Sequence, residues 1–237
     1  MDILIVVLIA HVVFGSLGLL SGTIIFFLKK GDNRHKVIGR VFAWSMYTSS
    51  IAAFILSLSN KLPFLLIISV FTLYMTYTGW RYLRIRKRIM FNKLKLKDWA
   101  VPAVMGAFSM ALLVRALYAL SVQNQFGWVM LFFSALSLMM VIQDLRVFSG
   151  KVDAKNFHQL MHIQRMIGAY IASITAFLVV NTSEKIELPF WVIWIGPTLI
   201  MMIPMTIWLR KYKVPLVQKN EDGVKEYSLP STKDDED

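Results

Sequence analysis

Seven long apolar segments, separated by short polar connections, make up most of the chain. Each has close to the ~20 residues that a helix needs to cross the hydrocarbon core of a bilayer. The runs are continuous and lack the alternation typical of membrane β-strands. They cover residues 3–28, 37–58, 64–82, 99–120, 127–147, 157–180 and 190–209. The pattern predicts an all-α fold, a polytopic membrane bundle of seven transmembrane helices in residues 1–212, followed by a polar and disordered tail in residues 213–237.

Basic residues are concentrated in alternate connections between these segments. Of the 26 lysines and arginines, 23 lie on one side of the predicted bundle, in residues 29–40, 81–97, 146–165 and 210–237. The positive-inside rule makes this side cytoplasmic. We therefore expect the N-terminus outside, the C-terminus in the cytoplasm, and a location in the cell (inner) membrane. The net charge of +12 then reflects topology, so the expected partner is the lipid bilayer and not nucleic acid.

The amino-acid composition is typical of a membrane protein, and it excludes sites that depend on cysteine. Hydrophobic residues make up 57% of the chain and charged residues 17%, which is too apolar for an ordinary soluble domain. Cysteine is absent, so disulfides and thiolate ligands are excluded. Any metal site would have to use histidine and carboxylate side chains.

Three histidines and one aspartate fall in the predicted cytoplasmic half of the bundle. His158 and His162 are four residues apart at the start of the sixth span, so they share one helix face with Arg165. Asp144 lies inside the fifth span, where a carboxylate facing lipid is costly, and so it should face protein or water. His35 ends the first cytoplasmic loop. These side chains are therefore candidates to meet at one site.

The sharpest interpretation of this set is a transition-metal site with His35, Asp144, His158 and His162 as ligands. Imidazole nitrogens and one carboxylate oxygen suit zinc or a similar metal, and an open position would activate a water molecule. Asp144 and Arg165 are then the candidate catalytic residues. This hypothesis predicts a metal-dependent membrane enzyme that acts on a lipid or another hydrophobic small molecule.

Simpler interpretations of the same residues remain open. His158, His162 and Arg165 could extend to cytoplasmic water or lipid phosphate at the membrane interface. Asp144 could instead form an ion pair with an arginine, which would fix one helix end against its neighbour. The arginines available for this pair are Arg40, Arg146 and Arg165. In that case the protein would be a non-enzymatic membrane or transport subunit, and its oligomeric state is not encoded in any pattern we find.

His11 belongs to a separate stripe in the first span, together with Gly15, Gly18 and Gly22. The GxxxG pair within this stripe allows a second helix to approach closely, so His11 should point into the bundle. We expect His11 near the middle of the membrane, whereas the other three histidines belong to the cytoplasmic half. It is a candidate axial ligand for haem b in a redox protein, a proton-relay group, or a neutral histidine bonded to a backbone carbonyl.

Motifs containing histidine, glycine and arginine occur across the predicted bundle: His11-x3-Gly15-x2-Gly18, Arg34-His35-x3-Gly39-Arg40, Gln143-Asp144-Leu145-Arg146 and His162-x2-Arg165-Met166. In these motifs the chain resembles an uncharacterised family of bacterial multi-pass membrane proteins, a domain of unknown function. Its members have a histidine in the first span and a His-Arg-x-x-Gly-Arg type motif that opens the second. Here Lys36 replaces the arginine after the histidine. The resemblance implies a multi-pass membrane fold and no established activity.

The segment His158-Gln-Leu-Met-His162 is similar in spacing and orientation to a motif of seven-helix membrane hydrolases. These include alkaline ceramidases and the adiponectin-receptor group. That resemblance implies a zinc ion near the cytoplasmic face, held by this histidine pair, a third histidine and an aspartate. The chain departs from the pattern because His11 lies too deep for the third ligand and the first span lacks the matching serine-histidine pair.

Overall fold

The described part of the chain forms seven long α-helices in a computed structural model. The structure describes residues 3–91, 93–152, 154–182, 189–215, 217–219 and 225–227. In chain order the helices are α1 (Ile3–Phe27), α2 (Asn33–Ser59), α3 (Pro63–Met90), α4 (Leu96–Ser121), α5 (Phe126–Phe148), α6 (Phe157–Thr182) and α7 (Phe190–Tyr212). After α7, two short strands, β1 (Val217–Lys219) and β2 (Lys225–Tyr227), pair in antiparallel orientation.

Each helix is long and apolar enough to cross a membrane, with lengths of 23 to 28 residues. The predicted fold class, an all-α bundle of seven membrane-spanning helices, is thereby confirmed. The chain is an integral, multi-pass membrane protein that lies in a lipid bilayer. Residues 213–237 lie largely outside the described residues, so the predicted disorder of this tail stays a prediction.

Helices α3 and α6 form the centre of the bundle. Helix α3 packs against α2, α4, α5 and α6, while α6 also contacts α1 and α7. Glycines allow the close approach of the central pair: a Cβ added at Gly79 would lie 2.9 Å from the Cβ of Arg165, and one at Gly168 would lie 2.6 Å from the sulfur of Met75. This crossing brings the polar residues of α6 against the backbone of α3.

The contact between α1 and α2 confirms the predicted close approach of two helices at the glycine stripe. An added Cβ at Gly18 would lie 2.9 Å from the sulfur of Met46 in α2, and one at Gly15 would lie 3.2 Å from Ser49 Oγ. Gly22 faces the ring of Tyr170 in α6. The stripe is therefore where α1 packs against its neighbours, while most of its other side chains are exposed and face the bilayer.

Two helix boundaries differ from the prediction in ways that affect the site. Helix α2 begins four residues early, because Asp32 caps it by accepting a hydrogen bond from the backbone N–H of His35 at 2.7 Å. His35 therefore lies in the first turn of α2 and not at the end of a loop. Helix α3 continues to Met90, so the basic run after Tyr82 is helical. Arginine and lysine are good helix formers, and hydropathy alone does not detect such an extension.

Candidate functional site: a buried polar cluster and a basic cavity

A carboxylate lies at the centre of a fully enclosed polar cluster between α3, α5 and α6. Asp144 accepts hydrogen bonds from Tyr74 Oη at 2.5 Å, from Tyr82 Oη at 2.7 Å and from Arg165 Nη2 at 2.5 Å. Asp144 and Arg165 are both 0% exposed. We call Tyr74, Tyr82, Asp144 and Arg165 the buried cluster. It joins three helices through one carboxylate.

Arg165 depends strongly on that carboxylate. Its Nη2 atom donates both to Asp144 and, at 2.9 Å, to the backbone carbonyl of Met140. Its guanidinium also lies over the ring of Tyr74, 5.3 Å from the ring centroid. Of the alternatives for Asp144, the ion pair with Arg165 is the one that the structure shows. Arg165 therefore does not extend to water or lipid phosphate.

A second region, which we call the basic cavity, opens where α1, α2, α3, α6 and α7 meet at their lysine- and arginine-rich ends. Its volume is about 900 Å³, within the range of small-molecule sites. Its polar lining consists of Lys30, His35, Lys36, Arg40, Arg84, Gln159, His162 and Tyr212. Its apolar lining includes Ile25, Phe26, Phe42, Leu83, Ile163, Met166, Ile167, Tyr170 and Trp208. The cavity is therefore amphiphilic.

Charge in the basic cavity is of one sign. Four lysine or arginine side chains line it, and among the described residues no aspartate or glutamate does. Lys36, Arg40 and Arg84 are exposed, so they pay little desolvation cost while the cavity is open. The lining thus presents several cationic donors to whatever occupies it.

His162 lines this cavity, and a hydrogen bond to α3 fixes its ring. Its Nδ1 lies 2.9 Å from the backbone carbonyl of Gly79 in α3. A carbonyl oxygen only accepts, so Nδ1 carries the proton and donates. In the neutral ring, Nε2 is then the acceptor, and in the protonated ring it becomes a second donor.

Lys30 holds the end of α1 against α7 at the rim of the cavity. Its Nζ donates to the carbonyls of Ile25, at 2.5 Å, and Phe26, at 3.1 Å, which closes the C-terminus of the helix. The ammonium also lies 4.6 Å from the centre of the Trp208 ring. Partial burial lowers the pKa of the Lys30 ammonium below its ordinary value.

The predicted metal ligands are distributed over different environments. Asp144 belongs to the buried cluster, His35 and His162 line the basic cavity, and His158 is buried beside the ring of Phe157, with centroids 5.7 Å apart. Within the described ranges, no group of three or more histidine, aspartate or glutamate side chains is placed to hold a metal ion. The four-ligand metal site therefore stays a prediction that the structure does not support.

His11 is bonded within the α1–α2 contact. Its Nδ1 lies 2.9 Å from the carbonyl oxygen of Ser49, and Ser49 Oγ donates to the carbonyl of His11 at 3.1 Å. Of the alternatives for His11, a histidine bonded to a backbone carbonyl matches this geometry, and the haem role stays a prediction. Ser49 is fourteen residues from His35 on α2, or about 21 Å along the helix, so His11 lies far from the basic cavity.

Comparison of the chain with protein-family models, curated proteins and solved structures finds no match. The resemblances to an uncharacterised membrane family and to membrane hydrolases therefore stay predictions.

The sequence pattern does not indicate some of the residues that define both regions. Tyr74 and Tyr82 complete the buried cluster, and Thr78 between them gives a polar stripe at i, i+4 and i+8 that could have indicated a polar neighbour. The charge pattern marks Lys30 and Arg84 only as topology signals, yet both line the basic cavity. No periodicity marks these two, since the cavity brings together residues from five helices.

Proposed function

We propose that the protein binds an anionic amphiphile, a lipid or lipid-like molecule with a phosphate or carboxylate headgroup, in the basic cavity. One observation carries this proposal. The cavity at the end of the membrane bundle is amphiphilic, and all charged side chains among its described lining residues are lysines and arginines. Cations clustered between membrane helices are a recognised way to hold anionic lipid headgroups. The apolar lining matches the other half of such a ligand.

The polar part of the lining is the part that would contact the headgroup. Lys36 and Arg40 lie beside the headgroup, with the ring of His162 as a further polar contact. A zwitterionic headgroup is disfavoured, because its ammonium would lie among lysines and arginines with no described carboxylate to pair with. Selectivity for negative charge is therefore the property that the lining predicts.

Gly39 offers a direct test, because it lines the cavity and a Cβ added there meets none of the described residues within 4 Å. Gly39→Phe should fold normally, since phenylalanine has a higher helix propensity than glycine. Its ring should displace the headgroup and weaken binding of phosphatidylglycerol by about tenfold or more, a loss near 1.4 kcal/mol. Native mass spectrometry of the detergent-purified protein measures the affinity, with phosphatidylcholine as the neutral comparison.

Gly196→Phe is the matched control. Gly196 lies in α7 away from the cavity lining, and within the described part of the chain an added Cβ there meets only its own helix neighbour Val192, at 3.8 Å. This variant should bind phosphatidylglycerol like the wild type. Equal affinity of wild type and Gly39→Phe, or equal affinity for phosphatidylcholine and phosphatidylglycerol, would contradict the proposal.

We infer that the basic cavity faces the cytoplasm of the cell (inner) membrane, with the N-terminus outside. The distribution of lysine and arginine supports this orientation through the positive-inside rule. Because the chain contains no cysteine, single cysteines can report it. A cysteine replacing Asn124 should react with a membrane-impermeant maleimide in intact cells, whereas one replacing Lys151 should react only after lysis; the reverse result would invert the topology.

A metal-dependent reaction on the bound amphiphile is the second candidate function. It is favoured by the presence of two imidazoles, His35 and His162, in the same cavity. A metal held by two histidines would need oxygen ligands from the substrate or water. Metal analysis of purified wild type and of His35→Ala/His162→Ala distinguishes the candidates. Equal metal content in the two proteins would exclude the metal-dependent reaction and leave lipid binding as the remaining candidate function.

A further inference from the structure

A smaller recess lies beside the basic cavity, on the other side of Arg84 and Trp80. This side pocket has a volume of about 240 Å³ and lies between α2, α3 and the start of α4. Its lining consists of Tyr47, Tyr77, Trp80, Arg81, Arg84, Ile85, Arg88, Lys97 and Asp98. Of these, Arg84 and Trp80 also line the basic cavity. The two spaces are thus neighbours that share one wall.

The carboxylate in the side pocket is already satisfied. Asp98 is 1% exposed and pairs with Arg81, with Arg88 Nη1 at 3.3 Å and with the backbone N–H of Lys95 at 2.7 Å. Two arginines therefore share one carboxylate, which leaves a local excess of positive charge. Arg84 and Lys97 are exposed and add to this excess.

Aromatic side chains connect the side pocket to the lipid-facing surface. Arg84 lies over the ring of Trp80, 4.8 Å from the centroid, which leaves its N–H edge free to donate. Trp44 packs edge-on against Trp80 with centroids 6.0 Å apart and is 62% exposed. Tyr77 is exposed as well. Tryptophan and tyrosine beside basic residues are typical of the level of lipid headgroups.

We propose that the side pocket is a second anion site, which binds the phosphate of an anionic phospholipid through Arg84 and Lys97. The acyl chains of this lipid lie along the exposed rings of Trp44 and Tyr77. The size of the pocket suits a headgroup phosphate and not a whole lipid. A phospholipid is favoured over free phosphate because the cations stand next to a lipid-facing aromatic surface. This site does not depend on the ligand of the basic cavity.

The two sites can be separated because each has residues that the other lacks. Lys97 lines the side pocket alone, whereas Gly39 lines the basic cavity alone. Native mass spectrometry of the detergent-purified full chain should resolve two phosphatidylglycerol adducts. Lys97→Ala should weaken one of them by about fivefold, the contribution of one interfacial cation, and leave the other unchanged. Gly39→Phe should have the opposite pattern.

One control variant and two further ligands test whether the side pocket is specific for an anionic phospholipid. Lys151→Ala removes an exposed lysine that lines neither space, and should leave both adducts unchanged. Phosphatidylcholine should not form the adduct that is sensitive to Lys97→Ala. Millimolar inorganic phosphate should not displace that adduct; displacement would assign the pocket to free phosphate. Unchanged phosphatidylglycerol binding by Lys97→Ala would overturn the site, even if Gly39→Phe behaves as expected.

Discussion

The buried cluster and the basic cavity both assemble arginine with polar side chains from neighbouring helices, but they treat charge in opposite ways. In the buried cluster, Arg165 meets Asp144 at 2.5 Å and both are fully enclosed. In the basic cavity, Arg40 and Arg84 are exposed, and no carboxylate among the described residues lines the space. The first arrangement is internally neutral, and the second leaves its charge for a ligand.

This difference separates a structural role from a binding role. A buried ion pair is costly to desolvate, and it persists because each partner would be far less stable alone. Such a pair fixes helices, and here its full burial keeps it out of reach of a substrate. Cations without an acidic partner around an open apolar space have a low desolvation cost while water solvates them. Binding of an anion then stabilises them through charge-assisted hydrogen bonds. The charged residues with a role in binding should therefore be those without an acidic partner.

Removal of Asp144 should have the largest effect on stability. Asp144→Ala leaves the fully buried Arg165 without its counter-charge, and we expect the free energy of unfolding to fall by about 3–5 kcal/mol. The measurement is thermal or denaturant unfolding of the purified protein in detergent micelles. Phosphatidylglycerol binding to the basic cavity should be retained by the fraction that folds.

The control for this change removes both charges. Asp144→Leu/Arg165→Met replaces the pair with apolar side chains of comparable size, which is often neutral or stabilising for buried pairs. The double variant should recover the part of the loss that comes from the uncompensated charge of Arg165, whereas the hydroxyls of Tyr74 and Tyr82 lose their acceptor in both variants. If it is as unstable as the single variant, the loss does not come from an uncompensated charge.

The tyrosines of the buried cluster should have an intermediate effect. Tyr82→Phe removes a hydrogen bond to a buried carboxylate, which contributes roughly 1.5–3 kcal/mol when one partner is charged. We expect this loss in the same unfolding measurement. Tyr118→Phe is the control, because Tyr118 is 69% exposed, and it should change stability by less than about 0.5 kcal/mol. Equal effects of the two substitutions would mean that Asp144 does not need its tyrosine donors.

Much of the fold follows from one-dimensional patterns. Continuous apolar runs of the length of a bilayer predict each helix, because an unpaired backbone in lipid would be far too costly. The glycine stripe of α1 also predicts a close helix contact, and the structure shows that the partner at Gly15 and Gly18 is α2. The extension of α3 to Met90 was not predicted, because its last turns are basic and a hydropathy pattern ends where the charges begin.

The site was only partly predictable for a different physical reason. An aspartate inside a span has to find a partner, and Arg165 was among the arginines considered for Asp144. The spacing of His158 and His162 does not indicate their surroundings, because His162 lines the basic cavity whereas His158 is buried outside its lining. The basic cavity depends on how five helices converge, and spacing within one helix does not encode this.

The cations of the basic cavity should have the smallest effect on stability and a large effect on binding. Lys36 and Arg40 are exposed, so Lys36→Ala/Arg40→Ala should change the free energy of unfolding by less than about 0.5 kcal/mol. Each cation near a lipid surface contributes about fivefold to the affinity for an anionic lipid, so two should contribute about 25-fold. Unfolding in detergent and native mass spectrometry with phosphatidylglycerol measure the two quantities on one preparation.

The matched control for this double substitution removes the same charges elsewhere. Arg146 and Lys151 are exposed at the same end of the bundle and do not line the basic cavity. Arg146→Ala/Lys151→Ala should leave both stability and binding unchanged. If it weakens binding as strongly as Lys36→Ala/Arg40→Ala, the lipid responds to the total charge of the surface. A weaker effect of the control means that placement of the cations in the cavity determines the affinity, since both variants lose the same net charge.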